Sequence, residues 1–164
     1  MTIEFVIRPL MFTDWPLVRS IYEEGIATGQ ATFETQAPTW EQWDANHHNF
    51  ARLVLTVKNE VKGWAATSRV SARKAYAGVA EVSVYIAATA RGQGFGRQLL
   101  HALILESGVS GIWTLQASIF PENVASIELH QRCGFREVGR RERIAQLNGV
   151  WRDTVLLERR STLL

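Results

Sequence analysis

The segment Val82-Ser83-Val84-Tyr85-Ile86-Ala87-Ala88-Thr89-Ala90-Arg91-Gly92-Gln93-Gly94-Phe95-Gly96-Arg97 decides how this chain is read. It opens with β-branched and aromatic residues, the composition of a buried strand. It then crosses a turn with glycine at 92, 94 and 96 and enters a stretch whose Phe95, Leu99, Leu100, Leu103 and Ile104 fall at helical spacing. Strand, glycine-rich turn and helix in that order suit an anion. The first N–H groups of a helix have no partner inside it, the helix dipole is positive there, and glycine lets a phosphate approach the backbone. The turn therefore reads as a pyrophosphate cradle, with Arg91 and Arg97 adding local positive charge.

Spacing narrows the ligand. A dinucleotide fingerprint, G-x-G-x-x-G, needs glycine at position 97, where Arg97 stands. A P-loop needs Gly-Lys-Ser or Gly-Lys-Thr, and neither occurs. What remains is Arg91-x-x-Gly94-x-Gly96.

Working outward, residues 5–8 predict a first strand. Thr13 or Asp14 can cap a helix with Pro16 in its first turn, followed by Leu17, Val18, Ile21, Tyr22 and Ile26 on one apolar face. Thr39 and Gln42 form a capping-box pattern that opens a second helix, expected to reach residue 50. Residues 53–57 and 61–70 read as two strands joined by a turn at Asn59-Glu60, and residues 81–86 as a third. Helices are expected over 94–106 and 123–131, with a strand over 113–117 between them. The chain ends in a hairpin, 138–147 and 150–157, turned by Asn148-Gly149. Antiparallel strands feeding one βαβ unit predict an α/β fold, a mixed sheet with helices on both faces, in a single domain spanning 1–164.

Downstream lies Asn123-Val-Ala-Ser126-Ile-Glu-Leu129-His130-Gln-Arg-Cys133-Gly134-Phe135. Together with Arg91-x-x-Gly94-x-Gly96 and the element order, it makes the whole chain resemble the GNAT superfamily of N-acetyltransferases, whose sheet is mostly antiparallel. Ala31-Thr32-Phe33-Glu34, Ala72-Arg73-Lys74-Ala75-Tyr76, Glu81-Val-Ser-Val-Tyr85-Ile86 and Trp151-Arg152-Asp153 are similar to the phosphinothricin and methionine sulfoximine N-acetyltransferase group within it.

The resemblance implies acetyl-coenzyme A (acetyl-CoA) as co-substrate, with no metal, and the α-amine of a small amino acid as acceptor. It implies that the backbone of Val84, Tyr85 and Ile86 pairs with the pantetheine arm like an added strand. Arg91 and the amides of Gly92, Gln93, Gly94, Phe95, Gly96 and Arg97 would hold the pyrophosphate, and Asn123 and Ser126 would contact the thiol end and arm. Phe33, Glu34, Arg73 and Tyr76 would line the acceptor pocket, with Trp151 touching the acceptor and Arg73 taking its carboxylate through a bidentate contact. A homodimer is implied by the same resemblance.

An α-amine is mostly protonated at neutral pH, so attack on a thioester is helped by a general base. Glu81 matches the group's proposed base and acts directly or through a water; the alternative is an ion pair at a strand end. An N–H of the same strand, at Val84 or Tyr85, would stabilise the oxyanion. The superfamily's usual acid, the Tyr of a Leu-Tyr pair, is replaced here by Leu129-His130, which leaves His130 or solvent to protonate the thiolate.

Composition bounds the rest. The 164 residues include 46% apolar and 21% charged residues, and 18 Lys and Arg against 16 Asp and Glu give a net charge of +2. That balance argues against nucleic acid as a partner. Arg136, Arg140, Arg141 and Arg143 are expected on a solvated strand edge. One cysteine, Cys133, excludes a disulfide framework and is expected to be a packed thiol. His47, His48 and His101 are expected on solvated or half-buried faces. No apolar run is long enough for a membrane helix and no leader pattern is seen, which predicts a soluble cytoplasmic protein without membrane contact. The rival functions are acetylation of a polyamine, an aminoglycoside or a protein N-terminus, and acyl-CoA binding without catalysis.

Overall fold

The computed structural model describes residues 2–164. Seven strands form one sheet: β1 (Val6–Pro9), β2 (Leu53–Val57), β3 (Glu60–Arg69), β4 (Val79–Ile86), β5 (Thr114–Ile119), β6 (Arg136–Leu147) and β7 (Val150–Arg160). Their spatial order is β1-β2-β3-β4-β5-β7-β6. The pair β4/β5 is parallel and the others are antiparallel, which is the mixed, mostly antiparallel sheet expected.

Four helices cover the sheet: α1 (Trp15–Ala27), α2 (Trp40–Asn46), α3 (Phe95–Val109) and α4 (Val124–Arg132). The pleat assigns them to faces. Trp64 of β3 and Tyr85 of β4 are register partners and so share a face. Tyr22 of α1 packs on both rings, and Trp43 of α2 packs on Trp64. One residue along, Gly63 and Ile86 face the other way, toward Leu99 of α3. Gly96 of α3 lies against Leu129, which puts α4 on that second side. Leu99, Leu100 and Leu103 of α3 are fully buried there. Truncating such a leucine to alanine typically costs about 2–5 kcal/mol.

Several boundaries shift for identifiable reasons. The capping box at Thr39 and Gln42 forms as expected, with reciprocal bonds of 3.1 and 3.2 Å. Yet α2 stops at Asn46 and not at residue 50. The next backbone groups are claimed elsewhere: His48 N–H donates to Thr67 O at 2.9 Å, and the Arg52 guanidinium donates to the carbonyls of His47 and His48. The β2–β3 turn is Lys58-Asn59, both at positive φ, one residue earlier than expected. Asp14 sits at the N-cap of α1 without a side-chain cap bond. Its buried carboxylate instead accepts two 2.8 Å bonds from Arg8 and one from Met11 N–H. The Arg8 hydrogen bonds are the main reason its pKa lies below the ordinary carboxylate value. Asn148 and Gly149 at φ 50° and 78° make the expected hairpin turn. Arg136 and Arg140 lie on the exposed β6, paired with Glu158 and Asp153 of β7.

Candidate active site

The site begins where two strands part. Strand β4 pairs with β5 only over Val79, Ala80 and Glu81, opposite Thr114, Leu115 and Gln116. Beyond Glu81 it continues to Ile86 bonded to β3 alone, while β5 continues to Ile119 bonded to β7. The groups of Val82 to Tyr85 that point away from β3 therefore face a gap with no strand in it. The gap opens into a cleft of about 1100 Å³ that runs through the sheet from the α1/α2 side to the α3/α4 side.

On the α1/α2 side the cleft is aromatic. Because alternate residues share a face, Glu81, Ser83 and Tyr85 of β4 lie beside Ser68, Ala66 and Trp64 of β3. Tyr22 stacks on Tyr85 at 5.0 Å, and Tyr85 on Trp64 at 4.9 Å. Burial is the main reason both tyrosine pKa values lie above the ordinary one, with Glu34 adding to it at each and the Tyr22 phenol adding to it at Tyr85. Thr32, Phe33 and Glu34 from the α1–α2 connection complete this wall. Glu81, half-buried at the apex, makes no ion pair among the described residues, so the strand-end salt bridge left open by the sequence does not form.

On the α3/α4 side the glycine turn forms as expected. Gly92 and Gly94 take φ of 77° and 80°, where any other residue would be strained, and the space a Cβ would occupy at each is open. Arg91, Gly92, Gly94, Phe95 and Gly96 line the cleft here with Ile86, Asn123, Ser126 and His130. Asn123 caps α4, its Oδ1 accepting from Ser126 N–H at 3.3 Å. His130 is 5% exposed, and its Nδ1 donates to Ser126 O at 2.7 Å. Burial is the main reason its pKa lies below the ordinary value, so the neutral ring has its one N–H already committed.

Five residues expected in the site do not line this cleft. Gln93, between two glycines at positive φ, turns to a smaller cavity of about 370 Å³ beside Thr2, Ile3 and Phe5. The Arg97 guanidinium lies near Cys133. Arg73 and Tyr76 sit on the exposed connection between β3 and β4, with the guanidinium 5.5 Å from the phenol ring centre. Trp151 falls on the opposite side of the β7 pleat from Thr154, which lines the cleft, and is exposed beneath Arg143.

Residues 15–135 match the acetyltransferase (GNAT) family. The chain belongs to that family.

This GNAT chain is 34% identical to phosphinothricin N-acetyltransferase of Alcaligenes faecalis, over 93% of its own length and 81% of that protein's. It is 30% identical to L-methionine sulfoximine/L-methionine sulfone acetyltransferase of Pseudomonas aeruginosa, over 93% and 92%. Its fold superposes with a TM-score of 0.86 on a phosphinothricin acetyltransferase of Sinorhizobium meliloti in complex with acetyl-CoA, at 28% identity, covering 98% of this chain and 89% of that one. The chain is an acetyl-CoA-dependent N-acetyltransferase. Its own residues fit that co-substrate: an unpaired strand edge for an amide-bearing arm, and an open glycine turn at a helix start for a pyrophosphate. Among the described residues no group of three or more His, Cys, Asp or Glu is arranged to hold a metal ion, and no helix is long and apolar enough to cross a membrane.

The acetyltransferase cleft also contains residues the sequence did not single out. His47 was expected on a solvated face, yet it lines the cleft, stacked 4.2 Å from Trp43, with Nδ1 bonded to Trp43 O. Burial is the largest of the causes that keep its pKa below the ordinary value. Ser68, Ser83 and Trp43 join it only through the register of β3 with β4 and the seating of α2. No local pattern marks any of them.

Proposed function

We propose that this enzyme transfers the acetyl group of acetyl-CoA to the α-amine of a small amino acid or analogue of the phosphinothricin or methionine sulfoximine type, directly, in a ternary complex. The observation that carries this is the unpaired Glu81 at the apex of the β4/β5 gap, on the same sheet face as the small aromatic pocket. Acetyl-CoA, when bound, supplies a thioester carbon as electrophile. Glu81 accepts the ammonium proton, directly or through one water, and frees the amine lone pair. The N–H of Val84, which alternation along the β3/β4 ladder leaves on the gap side, donates to the acyl oxygen as negative charge builds there. The C–N bond forms as the C–S bond breaks, the nitrogen gives up its second proton to solvent as it becomes an amide nitrogen, and the thiolate leaves toward α4. His130, neutral and with its N–H bonded to Ser126 O, is placed to accept and not to donate, which favours solvent as the source of the returning proton. Cys133, at the far end of α4 with its thiol pKa pushed up mainly by burial, is poorly suited to an acyl-cysteine relay.

Arg91, at the glycine turn, is the one Lys or Arg among the cleft's described lining residues. An amino-acid acceptor brings a carboxylate that needs a cation at the other end. We assign that role to Arg73, delivered with Tyr76 by the exposed 70–78 connection of a second copy in a homodimer.

A thiol-release assay with acetyl-CoA and a panel of amines tests the assignment. The panel holds phosphinothricin, methionine sulfoximine, methionine sulfone, common amino acids, spermidine, an aminoglycoside and an N-terminal peptide. Turnover of the first three is expected. Turnover confined to spermidine, the aminoglycoside or the peptide would replace the acceptor class, and acetyl-CoA binding with no turnover at all would make the chain a non-catalytic module.

A further inference from the structure

The acceptor wall contributed by residues 28–39, between α1 and α2, is irregular and largely locally braced. Thr28 Oγ1 donates to Gly25 O, Gln30 N–H donates to Thr28 Oγ1, and Glu34 N–H donates to Thr32 Oγ1. What fixes it to the rest of the fold comes from far along the chain. Arg152 of β7 reaches this wall, donating from Nη1 to Gly29 O at 3.0 Å and from Nη2 to Gln30 Oε1 at 2.7 Å. Its guanidinium carbon lies 4.0 Å from the ring centre of Phe120, and Phe120 meets Phe33 edge to face at 4.9 Å. Glu122 approaches the same guanidinium at 3.4 Å, and the Arg152 side chain is 14% exposed. One planar group thus bonds the loop through its edge and the Phe33–Phe120 pair through its face, a combination a lysine cannot reproduce. Asn123 Nδ2 adds a parallel tie to Gln30 O at 3.1 Å.

We infer that Arg152 is a positioning residue for the acceptor: it ties the 28–34 segment to β7 and Phe120 and sets the placement of Phe33 and Glu34, without touching either substrate. The inference rests on the reading of this wall as the acceptor side. Because the guanidinium acts on the loop and not on the glycine turn, its loss loosens amine binding and leaves acetyl-CoA binding alone.

The test uses the full-length enzyme with Arg152→Met, Arg152→Lys and the milder Gln30→Ala. Steady-state kinetics are measured against methionine sulfoximine and acetyl-CoA, and amide hydrogen exchange is followed in the absence of substrates. Arg152→Met should raise the amine KM about tenfold, the scale of losing charge-assisted hydrogen bonds, with the acetyl-CoA KM within about twofold. Arg152→Lys should recover only part of this. Gln30→Ala should have a smaller effect and add little on top of Arg152→Met, since both break one contact. Exchange should accelerate across residues 28–34 and stay unchanged in β1–β3. An amine KM within about twofold of the parent, a parallel rise in both KM values, or unaltered exchange over 28–34 would each overturn the inference. If the parent turns over no amine of the panel, the proposed function fails by itself, and the exchange experiment still decides whether Arg152 holds the loop.

Discussion

Glu81 stands opposite Gln116 in the last rung that joins β4 to β5. One residue further on, the two strands are no longer neighbours. The carboxylate is therefore at the point where the gap begins, with a free strand edge on one side of it and the aromatic pocket on the other.

That position predicts the outcome of Glu81→Gln. The amide keeps the size and loses the basicity, so kcat should fall at least about 100-fold, the usual scale for removing a general base. The dissociation constant for acetyl-CoA, measured by calorimetry, should be unchanged. Because Glu81 makes no ion pair among the described residues, the melting temperature should also hold.

Gly94 predicts the complementary phenotype. Its φ of 80° would cost alanine about 1–2 kcal/mol of backbone strain, and the added Cβ would fill the space open at the turn. Gly94→Ala should raise the acetyl-CoA KM about tenfold or more while the amine KM stays close to the parent's. Initial-rate measurements with each substrate varied in turn separate the two.

If Arg73 serves the neighbouring subunit, Arg73→Met and Glu81→Gln should complement each other. Each variant alone should be nearly inactive at low amine concentration. After mixing and subunit exchange, half of the dimers carry one intact site, so about a quarter of parental activity should return. Initial rates before and after exchange test this; no recovery in a mixture shown to contain heterodimers places Arg73 in its own subunit's chemistry or outside it altogether.

The histidines predict acid sensitivity. Burial lowers the folded-state pKa of His47 and His130, and for His47 the nearby Arg52 and His48 add to it. Protons then bind the unfolded chain first. The stability tied to the neutral rings is fully present above pH of about 6.5 and is lost as pH falls through the lower folded-state values, by up to about 1.4 kcal/mol per pH unit per group. Melting temperature should be flat above pH 7 and decline below about 6.5, less steeply in His130→Gln. An identical pH profile in that variant would remove His130 from the explanation.

The legible parts of this protein are those written in contiguous residues. The Thr39/Gln42 capping box, the Asn148-Gly149 turn and the glycine turn before α3 each lie within a few positions and formed as read. Boundaries failed where a distant element competed for backbone groups, as β3 and Arg52 did for the end of α2. Trp151 and Arg152 make the same point for the site. The sequence marks the pair, but which of the two reaches the 28–34 segment depends on the pleat phase of β7, set by its pairing with β5 and β6.

By itself the sequence determined the order of strands and helices, the glycine turn before α3 and the family, because hydrophobic period, turn chemistry and glycine spacing act over a few residues. Tertiary structure alone decided that β4 and β5 separate at Glu81, that His47 stacks half-buried on Trp43, and that Arg152 grips a loop more than 120 positions away. Those outcomes depend on register and on which face packs against which helix, and such contacts exist only once segments remote in sequence have been brought together.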